Sequence, residues 1–355
     1  MTPTGGGPSP SPRGTVTVVV TVLNDPRVAR TLESLLAQDR PPDEVLVDDG
    51  GGTGEVRRIA EEFHARDPRV RHLDAPGNIP ESRNRALEVA AGEIIAFLDA
   101  DEIAPPGWLR ALVGPFAEPR VGFTGGPTPA LPASLTTVGA RYYDGYLRRF
   151  YDRVARQNPH ALPMGNSAWR AEVFRTVGRL DTTLYRRAAS EDQEIARRAL
   201  AAGWRGVYVP DAWVGHDFSD ISVPRLLRKQ RIYAEGGYVV WRRGGSTYEA
   251  TPGRVLPYVV LPAVALLGAI LALVPATRLA GALLAGAGLA GLAALALGLT
   301  VWGVRQDRAY PGLRYSALEI PRRWATLWGA FLGFVHFGWS GRRGTPAGPP
   351  PSGKP

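Results

Sequence analysis

Between Val255 and Val304 the chain carries two long runs without a charged residue, "VLPYVVLPAVALLGAILALV" (Val255–Val274) and "LAGALLAGAGLAGLAALALGLTVWGV" (Leu279–Val304). Each is long enough to cross a hydrocarbon core, and neither carries the polar stripe of a surface helix. The other way to house them is as a buried pair in a large globular core. The link "PATR" is short, so the two runs predict a transmembrane helical hairpin over 254–304, with both ends on one side. Arg305, Arg308, Arg314, Arg322 and Arg323 follow it, and Arg225, Arg228, Lys229, Arg231, Arg242 and Arg243 precede it. The positive-inside rule then predicts a multi-pass protein of the cytoplasmic membrane, with its large N-terminal part in the cytoplasm.

The flanks extend this reading. "SVPRLLRKQRIYAEGGYVVWRRGG", within 221–253, mixes basic and apolar residues and predicts an amphipathic segment along an anionic leaflet. An ordinary packing helix with a basic face is the alternative. Within 305–340, "WATLWGAFLGFVHFGW" is short and aromatic, so it predicts either an interfacial or re-entrant helix or a tilted third span. Residues 1–14 and 341–355 are rich in Pro, Gly, Ser and Thr and predict disordered tails. The net charge of +9 suits nucleic acid, an anionic membrane or phosphorylated substrates without choosing among them, and the absence of cysteine excludes disulfides and thiolate metal sites.

Residues 15–220 read as a soluble α/β domain. "TVTVVVTVL" (Thr15–Leu23), "DEVLVDD" (Asp43–Asp49), "VRHLD" (Val70–Asp74) and "EIIAFLDAD" (Glu93–Asp101) predict strands. Between them, Arg27–Gln38, Glu55–Arg66 and Ile79–Gly92 predict helices. Such alternation implies right-handed βαβ units and a mostly parallel sheet, in which ligands gather at the carboxyl ends of strands. Asp48 and Asp49 end one strand, and Asp99 and Asp101 end another. Carboxylates two apart at the tip of an apolar strand suit a hard cation such as Mg2+ or Mn2+, with substrate phosphates as the remaining ligands.

In order along the chain, "VTVLND", "SLLAQDRPPDEVLVDDGGGTGE", "GNIPESRNRALEVAAGEIIAFLDADE", "MGNSAWRAEVFRTVGRLDTTL" and "SEDQEIARRALAAGWRGVYVPDAWVGH" resemble the motifs of the family 2 glycosyltransferases. The resemblance covers residues 15–218 and implies a GT-A fold, a Rossmann-like nucleotide-diphospho-sugar transferase domain. It implies an inverting, metal-dependent transfer from a nucleotide sugar, expected to be a uridine diphosphate sugar, with Mn2+ or Mg2+ as cofactor. Asn24 and Asp25 would lie beside the nucleotide, and Asp49 would read the base, with Asp48 as its rival. Asp99 would face the ribose or the metal, Asp101 would bind the metal, and Arg83 would contact the donor. Asp192 would be the catalytic base, with Glu191 beside it as an acceptor or phosphate clamp.

Each role has a plainer counterpart in the residues themselves. A carboxylate pair opening a helix also suits the helix dipole, as Glu191 and Asp192 do. His216 either joins the metal shell or is a surface histidine. Arg186 and Arg187 either clamp phosphates or lie on a solvated loop. Thr21, Leu23 and Asp25 replace the family's usual Pro, aromatic and Glu, and Gly52 and Gly54 stand where Ser and Asp are common. The Gln-X-X-Arg-Trp motif of processive members is absent, which favours addition of single sugars. The expected partners are the donor, a lipid-linked or cell-surface glycan acceptor and membrane lipids, with no nucleic acid. A GT-A-like nucleotidyltransferase and an inactive membrane scaffold remain as alternatives. The first lacks its N-terminal Gly-rich phosphate loop here.

Overall fold

The computed structural model describes residues 14–52, 54–182, 190–242 and 252–338. These divide into two units, one of residues 14–131 and 150–217, the other of residues 132–149 and 218–338.

The first unit alternates strand and helix as the residue pattern predicts. It runs β1 (Val16–Val22), α1 (Val28–Leu36), β2 (Glu44–Asp49), α2 (Glu55–Arg66), β3 (Val70–Asp74), α3 (Ile79–Val89) and β4 (Ile94–Asp99). A two-residue strand β5 (Glu102–Ile103) and α4 (Trp108–Val113) follow, then β6 (Val121–Gly125). Helix α5 (Val138–Phe150), most of which belongs to the second unit, comes next. The first unit resumes with β7 (Asn166–Arg170), α6 (Ala171–Val177), α7 (Glu191–Ala201), β8 (Arg205–Tyr208) and β9 (Gly215–His216).

Seven strands form one sheet in the order β3-β2-β1-β4-β7-β6-β8, and β5 pairs with β9 in a small second sheet. Strands β1 to β4 are parallel to one another, while β7 runs antiparallel to both β4 and β6. Val16, Val18, Val20 and Val22 of β1 face helices through Val28, Leu32 and Leu35 of α1 and Val56, Ile59 and Phe63 of α2. Strand β4 is buried from Ile94 to Leu98 and opens to solvent only at Asp99. A strand buried on both faces has to be apolar throughout, so its first charge marks the sheet's edge.

The second unit is helical: α8 (Val223–Arg242), α9 (Pro252–Ala272), α10 (Arg278–Gln306) and α11 (Glu319–Phe337). Helices α9 and α10 pack as a hairpin at very close range. A Cβ added at Gly268 would lie 2.2 Å from the Ala285 nitrogen, and one at Gly281 2.3 Å from that of Ala272. Glycine is what lets the two backbones approach this far. Helices α8 and α11 pack similarly, with Gly329 against the Arg231 carbonyl. Buried Arg322 of α11 binds Glu319 at 2.8 Å and Gln230 at 3.1 Å, and the Tyr142 hydroxyl donates to Glu319.

Where the residue pattern predicts two membrane-spanning helices, the described residues contain one that is long and apolar enough, over Pro275–Gln306. Leu256–Ala272 is also apolar but shorter. The tails, outside 14–338, fall beyond the described residues, as do Arg186 and Arg187.

Candidate active site

Strands β2, β1 and β4 end at one level. Thr21 of β1 is in register with Asp48 of β2 on one side and with Asp99 of β4 on the other. Directly paired residues share a face, so these three side chains form a row at the carboxyl end of the sheet. Arg83 is brought to this row by α3, whose start is fixed by a capping box between Asn78 and Glu81. Its guanidinium is buried and reaches Thr21 Oγ1 at 3.3 Å, Asp99 Oδ1 at 3.1 Å and Glu191 Oε1 at 3.2 Å.

The two rival carboxylates of β2 separate by the pleat. Asp48 is fully buried, and neither of its oxygens has a hydrogen-bond partner among the described residues. Burial pushes its carboxyl up to about 6, against the opposing pull of Ser82, Arg83 and Arg85. Asp49 points to the opposite face, where it accepts from the Gly51 N–H at 3.2 Å and lies 3.3 Å from His72 Nε2. Asp48 therefore belongs to the row, and Asp49 shapes the turn after β2. Asn24 sits against that turn, since a Cβ at Gly52 would fall 2.1 Å from Asn24 Oδ1.

A second cluster lies just past β4. The Thr31 hydroxyl of α1 lies 2.8 Å from the carbonyl oxygens of both Ala100 and Glu102, which holds the turn. Strand β5 then pairs Glu102 with His216 of β9. His216 contacts Asp101 Oδ2 through Nε2 at 3.2 Å and Glu102 Oε1 through Nδ1 at 3.2 Å. Burial alone would lower this imidazole, but Asp101 and Glu102 outweigh it and push His216 up to about 10. Burial pushes Glu102 up to about 7, with His216 opposing. Glu102, a bystander on its position alone, is buried and orients the histidine, while its Oε2 accepts from the Asp99 N–H at 3.2 Å.

For Asp101 and His216 to hold Mn2+ or Mg2+ as carboxylate and imidazole, the ion must displace the proton that Asp101 and Glu102 favour on His216. Among the described residues, no three His, Asp or Glu side chains are gathered tightly enough to hold a metal by themselves. Such a pair fits a cation that takes its other ligands from a bound diphosphate. Asp99, also expected near the ribose or metal, is held by Arg83 at 3.1 Å. Asp25 is engaged by Arg27 at 2.6 Å, and Arg27 in turn lies 3.5 Å from Asp101.

Asp192 sits in the first turn of α7, where its Oδ1 accepts from the Gln193 N–H at 2.7 Å. Burial raises its carboxyl, and Arg83 and the Gln193 N–H oppose the rise. Its neighbour Glu191 is buried on Arg83, so the guanidinium links the start of α7 to Asp99.

Two further residues brace the site. A Cβ at Gly165, just before β7, would lie 2.3 Å from Asp99 Oδ2. Buried Asn166 accepts from Trp108 Nε1 at 2.8 Å and donates to the carbonyls of Ala212 and Pro127 at 2.8 and 3.1 Å. Arg27, Glu102 and Gly165 carry no local signal of their roles. The pairing of β4 with β7 brings Gly165 to Asp99 and that of β5 with β9 sets Glu102 on His216, while Arg27 reaches Asp101 from the start of α1.

This architecture is a mixed α/β, Rossmann-like GT-A fold. It matches the structure described as "Mannosyltransferase PcManGT from Pyrobaculum calidifontis in complex with GDP-Man and Mn2+" with a TM-score of 0.60 and 21% identity, covering 92% of this chain and 91% of that one. Residues 17–178 match the family described as Glycosyl transferase family 2. The O-antigen biosynthesis protein RfbC of Myxococcus xanthus is 31% identical over 221 residues, 55% of this chain and 17% of its own length. The pre-mycofactocin glycosyltransferase of Mycobacterium tuberculosis is 31% identical over 209 residues, 57% of this chain and 42% of its own. The chain therefore spans less than half of either relative. The succinoglycan biosynthesis protein ExoA of Rhizobium meliloti is 28% identical over 281 residues, 72% of this chain and 78% of its own.

Proposed function

We propose that the protein is an inverting glycosyltransferase. It moves a sugar from a nucleotide-diphosphate donor to a lipid-linked or cell-surface glycan acceptor at the cytoplasmic membrane face. The observation that carries this reading is the row of Asp48, Thr21 and Asp99, tied by Arg83 to the start of α7 where Asp192 stands.

In this reading Asp48 and Asn24 bind the nucleoside, and Asp99 faces the ribose with Arg83 holding its carboxylate in place. A divalent cation held by Asp101 and His216 would supply charge neutralisation for the departing diphosphate. Asp192 takes the proton from the acceptor hydroxyl as that oxygen attacks the anomeric carbon opposite the diphosphate. A carboxyl raised by burial is better matched to that transfer than an ordinary aspartate. Glu191 keeps α7 in register through Arg83. A uridine donor follows from the family resemblance. A guanosine donor is the second to test, because the structurally similar mannosyltransferase holds GDP-Man.

The apolar helix α10, its α9 neighbour and the arginines that follow them support a hairpin anchor with the first unit on the cytoplasmic side. The test is a screen of nucleotide sugars for Mn2+-dependent hydrolysis or transfer by the full chain, with Asp101→Asn and Asp192→Asn alongside. Transfer by the wild type and its loss in both variants is expected. Equal transfer by Asp192→Asn would remove the base, and no nucleotide binding in the presence of metal would remove the enzyme.

A further inference from the structure

Arg27 opens α1 and is held from two sides. Its Nε lies 2.9 and 3.0 Å from the two Asp25 oxygens and its Nη2 2.6 Å from Asp25 Oδ2. On the other side its Nη1 lies 3.4 Å from the Asp217 carbonyl oxygen and 3.8 Å from Asp217 Oδ1. Nη2, which binds Asp25, also lies 3.5 Å from Asp101 Oδ2, the same oxygen that meets His216. The guanidinium is planar and permanently charged, so its positive charge stays at this carboxylate at any working pH. Arg30, nearby, reaches Asp217 at 3.7 Å but is more exposed.

We propose that Arg27 is a resident cation of the donor site that makes capture of the metal depend on the donor's diphosphate. This rests on the glycosyltransferase reading above. A free divalent ion approaching Asp101 meets a carboxylate that already has His216 and the fixed charge of Arg27, shared with Asp25 and Asp217, beside it, and binds weakly. A diphosphate brings enough negative charge to satisfy both cations at once, so metal and donor enter together. By linkage, each then tightens the other's binding. The same charge afterwards faces the departing diphosphate.

The test is titration of the purified full chain with Mn2+ alone and with a nucleoside diphosphate (UDP and GDP in turn), read by calorimetry or by the free-Mn2+ electron spin resonance signal. A neighbouring charge a few ångströms away shifts a carboxylate's ion affinity by roughly tenfold or more. Arg27→Gln is expected to bind Mn2+ alone at least about tenfold more tightly than the wild type, and to lose most of the tightening that the diphosphate produces. Arg27→Lys, which keeps the charge, and Arg30→Gln, which removes a charge not facing Asp101, should stay near the wild type. Unchanged or weaker Mn2+ binding in Arg27→Gln overturns the proposal, as does an equal gain in Arg30→Gln. If neither UDP nor GDP binds the wild type, the glycosyltransferase reading fails; if a diphosphate binds without tightening Mn2+, the Arg27 proposal fails while that reading stands.

Discussion

Replacing Gly165 with alanine adds one methyl group to the loop before β7, at a place set by the backbone. That methyl would lie 2.3 Å from Asp99 Oδ2, 2.6 Å from its Cγ and 3.0 Å from its Oδ1. Ordinary contact begins at 3.4 Å, so the carboxylate must retreat by about 1.1 Å. The Asp99 Oδ1 to Arg83 Nη2 contact, now 3.1 Å, then passes beyond hydrogen-bond range. The Asp99 side chain is 38% exposed, so losing this partly screened ion pair costs only about 1 kcal/mol of stability. For a domain of this size that is about 2–4 °C in melting temperature. In the proposed function Asp99 positions the donor, and there a displacement of about 1 Å is expected to cost about 100-fold in rate. Thermal melts and transfer kinetics on the same preparation separate the two effects. Gly114→Ala, whose added methyl meets nothing within 4 Å, is the control. Near-normal transfer in Gly165→Ala, or a loss no larger than the fraction unfolded, would refute the reasoning.

Other outcomes follow from the same contacts. Asp192→Asn should lower transfer by about 100- to 10,000-fold while leaving nucleotide affinity unchanged, as checked by calorimetry. Asp48, raised to about 6, contributes stability that is present below its unfolded pKa near 4 and lost as pH rises through about 6. Asp48→Asn should therefore gain up to about 3 kcal/mol over the wild type between pH 4 and 7, and parallel denaturation profiles would contradict this. In the hairpin, a Cβ at Gly288 meets the Ala265 nitrogen at 2.6 Å, whereas one at Gly298 meets nothing within 4 Å. Gly288→Leu should destabilise the detergent-solubilised protein by about 1–3 kcal/mol and Gly298→Leu hardly at all, as read from thermal melts.

Much of the fold is legible in the residue order because its signals are local. The β-branched run of β1, the helical spacing of α1 and α2 and the abrupt charge after Leu98 each depend on neighbours a few positions away. Chain direction then carries the carboxylates of β2 and β4 to one edge of a parallel sheet, so Asp48, Asp49, Asp99 and Asp101 stand out before any contact is known. The apolar character of 255–304 is equally local, and so is the expectation of helices there.

Contacts between distant segments are another matter. Whether Asp48 or Asp49 joins Thr21 and Asp99 depends on pleat and register, and a shift of one residue would exchange them. Strand order places Gly165 against Asp99, and the small β5–β9 sheet sets His216 between Asp101 and Glu102. Arg27 looks like any helix-opening residue until the turn after β4 brings Asp101 within reach. The glycines of α10 look like ordinary small residues until α9 lies against them. The sequence by itself determined the alternating elements, the apolar helices and the carboxylates at the strand tips, through short-range patterning and chain direction. Only the tertiary structure decided which of those carboxylates meet a partner and which cation stands beside them, because pairing across the sheet is written in no single stretch of chain.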